Sequence, residues 1–139
     1  MTPRIANALR LLTIGVFVAV ALVAYRTFNP PAPSSVVAPQ RGERNVADAI
    51  NAADPGPIVV RGHVFLGPGG MGLRICQGRV NSSPPRCLGP FLDLDRVNEG
   101  SFALRSGKAK EGVVKWVEEP IAMRGTTVGT RMTVLELLR

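Results

Sequence analysis

Residues 57–66 read PIVVRGHVFL, and residues 120–125 read PIAMRG, with Pro, Ile, Arg and Gly in register between the two. Ile58 to Leu66 is dense in β-branched residues, the composition of a pleated, half-buried strand. A glycine inside such a strand marks a bend or a bulge. Two bent strands of this kind, one opening a domain and one near its end, suit a small, strongly curved barrel in which they are neighbours.

Working outward, GPGG at 67–70 is a turn, and Met71 to Cys76 places Leu73 and Ile75 on one face, so the two stretches form a hairpin. Asn81 to Gly89, NSSPPRCLG, reads as a loop. Phe91 to Asp95 alternates Leu92 and Leu94 with Asp93 and Asp95, a half-buried strand. The Gly-, Ser- and Lys-rich residues 98–112 read as mobile. Val113–Val117, Ile121–Val128 and Met132–Leu138 supply the last strands, with Gly129–Arg131 turning the final hairpin, although VLELL also fits a helical turn. Ahead of these, Val46, Ala49, Ile50 and Ala53 fall at helical spacing, Asn45 is an N-cap residue, and Pro55 with Gly56 ends a short helix. A helix followed by five short strands with a long third-to-fourth connection is the order of an oligonucleotide/oligosaccharide-binding (OB) barrel. The expected fold is therefore mainly β, an OB-like five-stranded barrel with one short helix over residues 45–139; an open β-sandwich is the alternative.

The N-terminal end has a different character. LLTIGVFVAVALVAY, residues 11–25, carries no charge and lies between Arg10 and Arg26. Fifteen residues of helix reach about 22 Å, so a span over a hydrocarbon core of about 30 Å draws in flanking residues, giving a transmembrane anchor over 8–28. The arginines snorkel and Tyr25 with Phe28 provides an interfacial belt. The alternative is a cleaved signal peptide, for which Ala19 and Ala21 offer a small-x-small site at the cost of a very short apolar region. Arg4, Arg10 and the terminal amine outweigh Arg26 and bias the N-terminus toward the cytoplasm. The rest of the chain is then extracytoplasmic on a single-pass anchor. NPPAPSSVVAPQ, residues 29–40, reads as a linker that reaches about 35 Å as polyproline II. The domain organisation is thus anchor 1–28, linker 29–44 and β domain 45–139.

Cys76 and Cys87 are the only cysteines. An even count in a small domain outside the cytoplasm points to a disulfide, with two unrelated buried thiols as the alternative. A lone C-x10-C pair is a poor zinc site.

The stretch VADAINAADPGPIVVRGHVFL, then GLRICQG, SSPPRCLGP, FLDLD and KWVEEPIAMRGTTV resembles small envelope proteins of actinobacterial type. In these a signal or anchor precedes an OB-like domain with the pattern V-x-G, L-C, PP-x-C and W-x-x-x-P. The matching positions are Val60 with Gly62, Ile75 with Cys76, Pro84 and Pro85 with Cys87, and Trp116 with Pro120. The resemblance implies fold and compartment and assigns no activity.

Chemistry-bearing residues are sparse. His63 is the sole histidine, on the outer strand face with Arg61 and Phe65, and it has no catalytic partner nearby in the sequence. Asp93 and Asp95 share a strand face, but Arg96 follows and a cation needs more oxygen ligands, so a solvated face is the simpler reading. Ser82 and Ser83 lack a nucleophile elbow. GPGGMG at 67–72 lacks the lysine and helix of a phosphate loop. Asn81-Ser82-Ser83 satisfies a glycosylation sequon. No catalytic residue, cofactor or metal is expected, and a hydrolase using Asp93, Asp95 and His63 ranks last.

The chain carries 17 basic and 10 acidic residues, net +7; Arg4, Arg10 and Arg26 belong to the anchor region, so the domain is only mildly basic. Single-strand binders combine a basic groove with several exposed aromatics, and here Phe65, Phe91, Phe102 and Trp116 are mostly needed for a core. Nucleic acid is therefore disfavoured. The expected function is a non-enzymatic binding or assembly module, contacting lipid through residues 8–28 and an envelope protein or anionic polymer through its domain. Nucleic-acid or polyanion binding through Arg61, His63, Arg74 and Arg124 is the alternative.

Overall fold

The computed structural model of the chain describes residues 32–52 and 56–138. The anchor expected over 8–28, its cleaved-signal alternative and the first linker residues lie outside the described residues, as do Ala53 and Pro55 of the short helix. Among the described residues no helix is long and apolar enough to cross a membrane.

The decisive stretch forms strand β2, Ile58–Leu66. Ile58, Val60 and Val64 enter the core, while Val59, Arg61, His63 and Phe65 alternate onto the other face. β2 serves several partners. It pairs antiparallel with β7 (Ile121–Val128) along Ile58–Gly62, and with β3 (Leu73–Val80) along His63–Leu66, while Phe65 and Leu66 also meet β6 (Gly112–Trp116). The two echoed hexapeptides are thus direct neighbours. Ile58 faces Gly125, Gly62 faces Ile121, and Val60 faces Met123, so the repeat is related to itself by an approximate local two-fold through the Val60–Met123 pair.

The other strands follow from hairpin logic. β3 returns antiparallel into β4 (Arg86–Asp95), with a bulge between Cys76 and Gly78. β7 turns into β8 (Arg131–Leu138), with a second irregularity at Arg124/Gly125. β4 and β8 pair in parallel, through Asp93–Arg131, Leu94–Met132 and Asp95–Thr133. The pairings therefore run β2–β3–β4–β8–β7 and back to β2. Each of these five strands sends side chains into one hydrophobic cluster, including Val60, Ile75, Leu92, Met123 and Met132, all fully buried.

Helix α1, Val46–Ile50, is short and set against this cluster by Val46 and Ala49. Asn45 caps it as its sequence implies, accepting a bond from the Asp48 N–H. The Gln77 side chain, which lies opposite the extra β4 residue, accepts from the Ala47 N–H, and the Thr127 hydroxyl donates to the Ala49 carbonyl. The Cys76–Cys87 disulfide is formed, with Cα atoms 5.7 Å apart. It fastens β3 to β4 beside the bulge, where the ladder is irregular.

Several expectations change. Among the described residues the sheet holds eight strands, more than the five expected of a barrel. Residues 98–112 are not a mobile stretch throughout: Arg105–Ala109 is strand β5, paired with β6. Its polar composition hid it, since an edge strand keeps only part of itself out of water. The 81–89 loop is shorter than expected because β4 already begins at Arg86. VLELL is strand, because pairing along β7 overrides its ambiguous period. The linker is also partly structured. Ser34–Val36 forms strand β1 on the far half of β3, where Gly78 has no side chain to keep the Ser35 carbonyl away. The bonds from Val37 N–H to the Gln77 carbonyl and from Asn81 N–H to the Pro33 carbonyl extend that docking.

Candidate functional site

Two adjoining hollows lie against one face of the β2–β3–β6 region and share Arg79 and Glu118. The first, about 390 Å³, runs between residues 35–40 and Glu118–Pro120, with Arg61 and His63 in its wall. The second, about 290 Å³, lies between the 81–85 loop and Trp116. Strand register explains why these groups meet. Trp116 sits opposite Phe65 on one side and Arg105 on the other, so it lies on the sheet face that carries His63 and Arg61. Gly107 of β5 leaves room for the six-membered ring of Trp116 and for Pro84.

Glu118 is the hub. Its carboxylate meets the Arg79 guanidinium, the Arg105 guanidinium and the Trp116 indole N–H, each at 3.4 Å. The Trp116 hydrogen bond first, then the two arginines, hold its acidity on the ionised side of the ordinary carboxylate value. Arg79 also donates to the Glu118 backbone carbonyl at 2.9 Å. Charge-assisted bonds run at about 2.7–2.9 Å when saturated, so the side-chain contacts of this cluster are loose.

His63 is only 4% exposed, which corrects its expected surface position: β1, its following residues and Glu118–Pro120 stand over that part of β2. Burial first, and the Arg79 charge second, push the imidazole below its ordinary value and keep it neutral at pH 7. Its Nδ1 is buried without a hydrogen-bond partner among the described residues, and so is Arg79 Nε.

Arg61, His63, Arg74 and Arg124 do project from the same sheet face by register, since Arg124 opposes Val59 and Arg74 opposes Phe65. The hollow gathers only Arg61 and His63; Arg74 and Arg124 do not line it. Each arginine of this set has a carboxylate beside it, at very different closeness. Arg61 grips Glu43 with two bonds of 2.6 and 2.9 Å, Arg74 lies 3.3 Å from Asp93 while covering the Phe91 ring at 4.2 Å, and Arg124 lies 3.9 Å from Glu136. Asp95 pairs with Arg131. Neither Asp93 nor Asp95 lines the hollow that holds His63, so the three do not form the acid–base set that a hydrolase would require.

Arg79, Glu118 and Trp116 are the groups that sequence reasoning passed over as site residues. The available signal was the W-x-E-E-P run at 116–120, which turns a strand end outward beside the Pro84–Pro85 loop. No protein-family model matches the chain, and no curated protein or solved structure is similar to it.

Proposed function

We propose that this chain is a single-span, membrane-anchored binding module whose domain lies outside the cytoplasm and does no chemistry of its own. The domain is an OB-like barrel formed by β2, β3, β4, β8 and β7. The closed cycle of pairings with one parallel contact, β4 with β8, supports that reading. The apolar run 11–25 supports the anchor, and the Cys76–Cys87 bridge supports the oxidising side.

The observation that carries the binding role is the double hollow around Arg79 and Glu118, where partly engaged polar groups and an indole line a concave surface. The polyanion alternative is weaker because Arg61 is held by Glu43 through two bonds, and Arg74 and Arg124 do not line the hollow with it. An extracytoplasmic protein or envelope polymer is the fitting class of partner.

The test is cross-linking of the tagged full-length chain in intact membranes, beside an anchor-only control carrying residues 1–40. Partners enriched by the full chain, and lost with Trp116→Ala, are expected. Enrichment no greater than that of the anchor-only control overturns the binding role.

A further inference from the structure

The smaller hollow has a chemistry that narrows its ligand. The charges that line it balance, Arg79 against Glu118, so it offers little net field to a polyanion. It nevertheless combines acceptors and donors at close quarters. Glu118 accepts three contacts that are all long, and Asn81 adds an exposed amide. Beside them stands Trp116, half-buried, with an apolar ring and a polar N–H. A ligand hydroxyl is suited to this setting, because it donates to a carboxylate and accepts from a guanidinium in the same contact. A phosphate or carboxylate only accepts, and would face Glu118, which is held ionised.

We propose that the hollow between Trp116 and the 81–85 loop binds a neutral, hydroxyl-rich ligand, a short glycan segment, with Trp116 as its apolar platform and Glu118, Arg79 and Asn81 as its hydrogen-bonding groups. This deepens the binding-module reading and rests on it. Glycan carbons pack on the indole while hydroxyls enter between Glu118 and its three loosely held donors.

Trp116 is the chain's sole tryptophan, so its emission reports the site directly. The full-length protein in detergent micelles is titrated with cellotetraose, chitotetraose and maltotetraose, and in parallel with polyphosphate and a heparin tetrasaccharide. At least one neutral tetrasaccharide is expected to change the emission saturably, with affinity constant within about twofold between about 50 and 500 mM salt. Asn81→Ala, which removes an exposed side chain, and Glu118→Gln are each expected to weaken that binding about tenfold, with unaltered far-UV circular dichroism. No response to any neutral sugar up to about 10 mM, a response to the polyanions alone that falls steeply with salt, or binding that both variants leave intact overturns the assignment. Partner capture that persists in membranes while every neutral sugar fails would leave the binding module standing and remove only the glycan.

Discussion

Gly62 and Gly125 occupy the same position in the two hexapeptide echoes and do the same work: each lies directly beneath a main-chain carbonyl of the strand that follows, that of Cys76 for Gly62 and that of Thr133 for Gly125. The local two-fold through Val60 and Met123 relates the two sites. A Cβ at Gly62 would come within 2.5 Å of the carbonyl and 2.7 Å of Ile75 Cγ1. The repeated glycine therefore permits two bent strands to pair with each other while each receives its hairpin partner at close range.

Gly62→Ala and Gly125→Ala should each destabilise the domain by about 2–3 kcal/mol, since the nearest obstacle at each is a main-chain carbonyl that cannot swing aside. Gly72→Ala, at a position with nothing within 4 Å, should stay within about 0.5 kcal/mol of the parent. Urea denaturation of the three variants checks the contrast.

The Cys76–Cys87 bridge closes a short loop across the bulged part of the β3–β4 ladder. Replacing both cysteines by alanine should cost about 3 kcal/mol, mostly by freeing the unfolded chain. Thermal unfolding with and without reductant measures it. Because Cys76 is fully buried and Cys87 only half-buried, alkylating reagents should reach Cys87 after reduction alone and Cys76 only once the protein is also unfolded.

Arg61 and Glu43 form a two-point ion pair whose side chains are only 21% and 11% exposed. The mutual hydrogen bond is the main cause that raises the arginine's value and lowers the carboxylate's. Glu43→Gln should cost about 1–2 kcal/mol by leaving a shielded guanidinium without its anion. Arg61→Lys should fail to restore the parent stability, because a lysine cannot make both bonds at once. A double-mutant cycle read by urea midpoints tests both statements.

Acidification should weaken the fold in two stages. His63 has its folded value depressed below the ordinary 6.5, chiefly by burial, so the unfolded state binds the extra proton. Its contribution is complete above that value and is lost as pH falls below it toward the lower folded value. Glu43 and Glu118 are depressed below 4.5, by the Arg61 and Trp116 hydrogen bonds first, and their contributions disappear only as pH falls below that. Urea midpoints followed from about pH 8 to about pH 3 should therefore drop first below 6.5, then below 4.5. His63→Gln should abolish the first drop and keep the second.

Much of the fold was legible because hairpin strands declare themselves locally. Ile58–Leu66 and Ile121–Val128 carry their pattern within a few residues, and Asn45 needs only the next turn of chain to act as a cap. Strands β1 and β5 were not legible. Ser34–Val36 is held by the exposed edge of β3, and Arg105–Ala109 by the return of β6, so neither has a hydrophobic alternation of its own. The candidate site was less legible still. Arg61 and His63 were found from their strand face, whereas Arg79, Asn81, Trp116 and Glu118 come from separate segments that meet only after folding.

A β-rich domain, its glycine-bent strands, its capped helix and the apolar N-terminal run follow from residue order, because each rests on short-range period and backbone preference. Long-range packing is needed for the echoed strands to pair about Val60 and Met123, for His63 to be covered, and for Glu118 to draw Arg79, Arg105 and Trp116 together. Those outcomes depend on register and on which strand edge lies next to which, and they are fixed by packing between residues far apart in the chain.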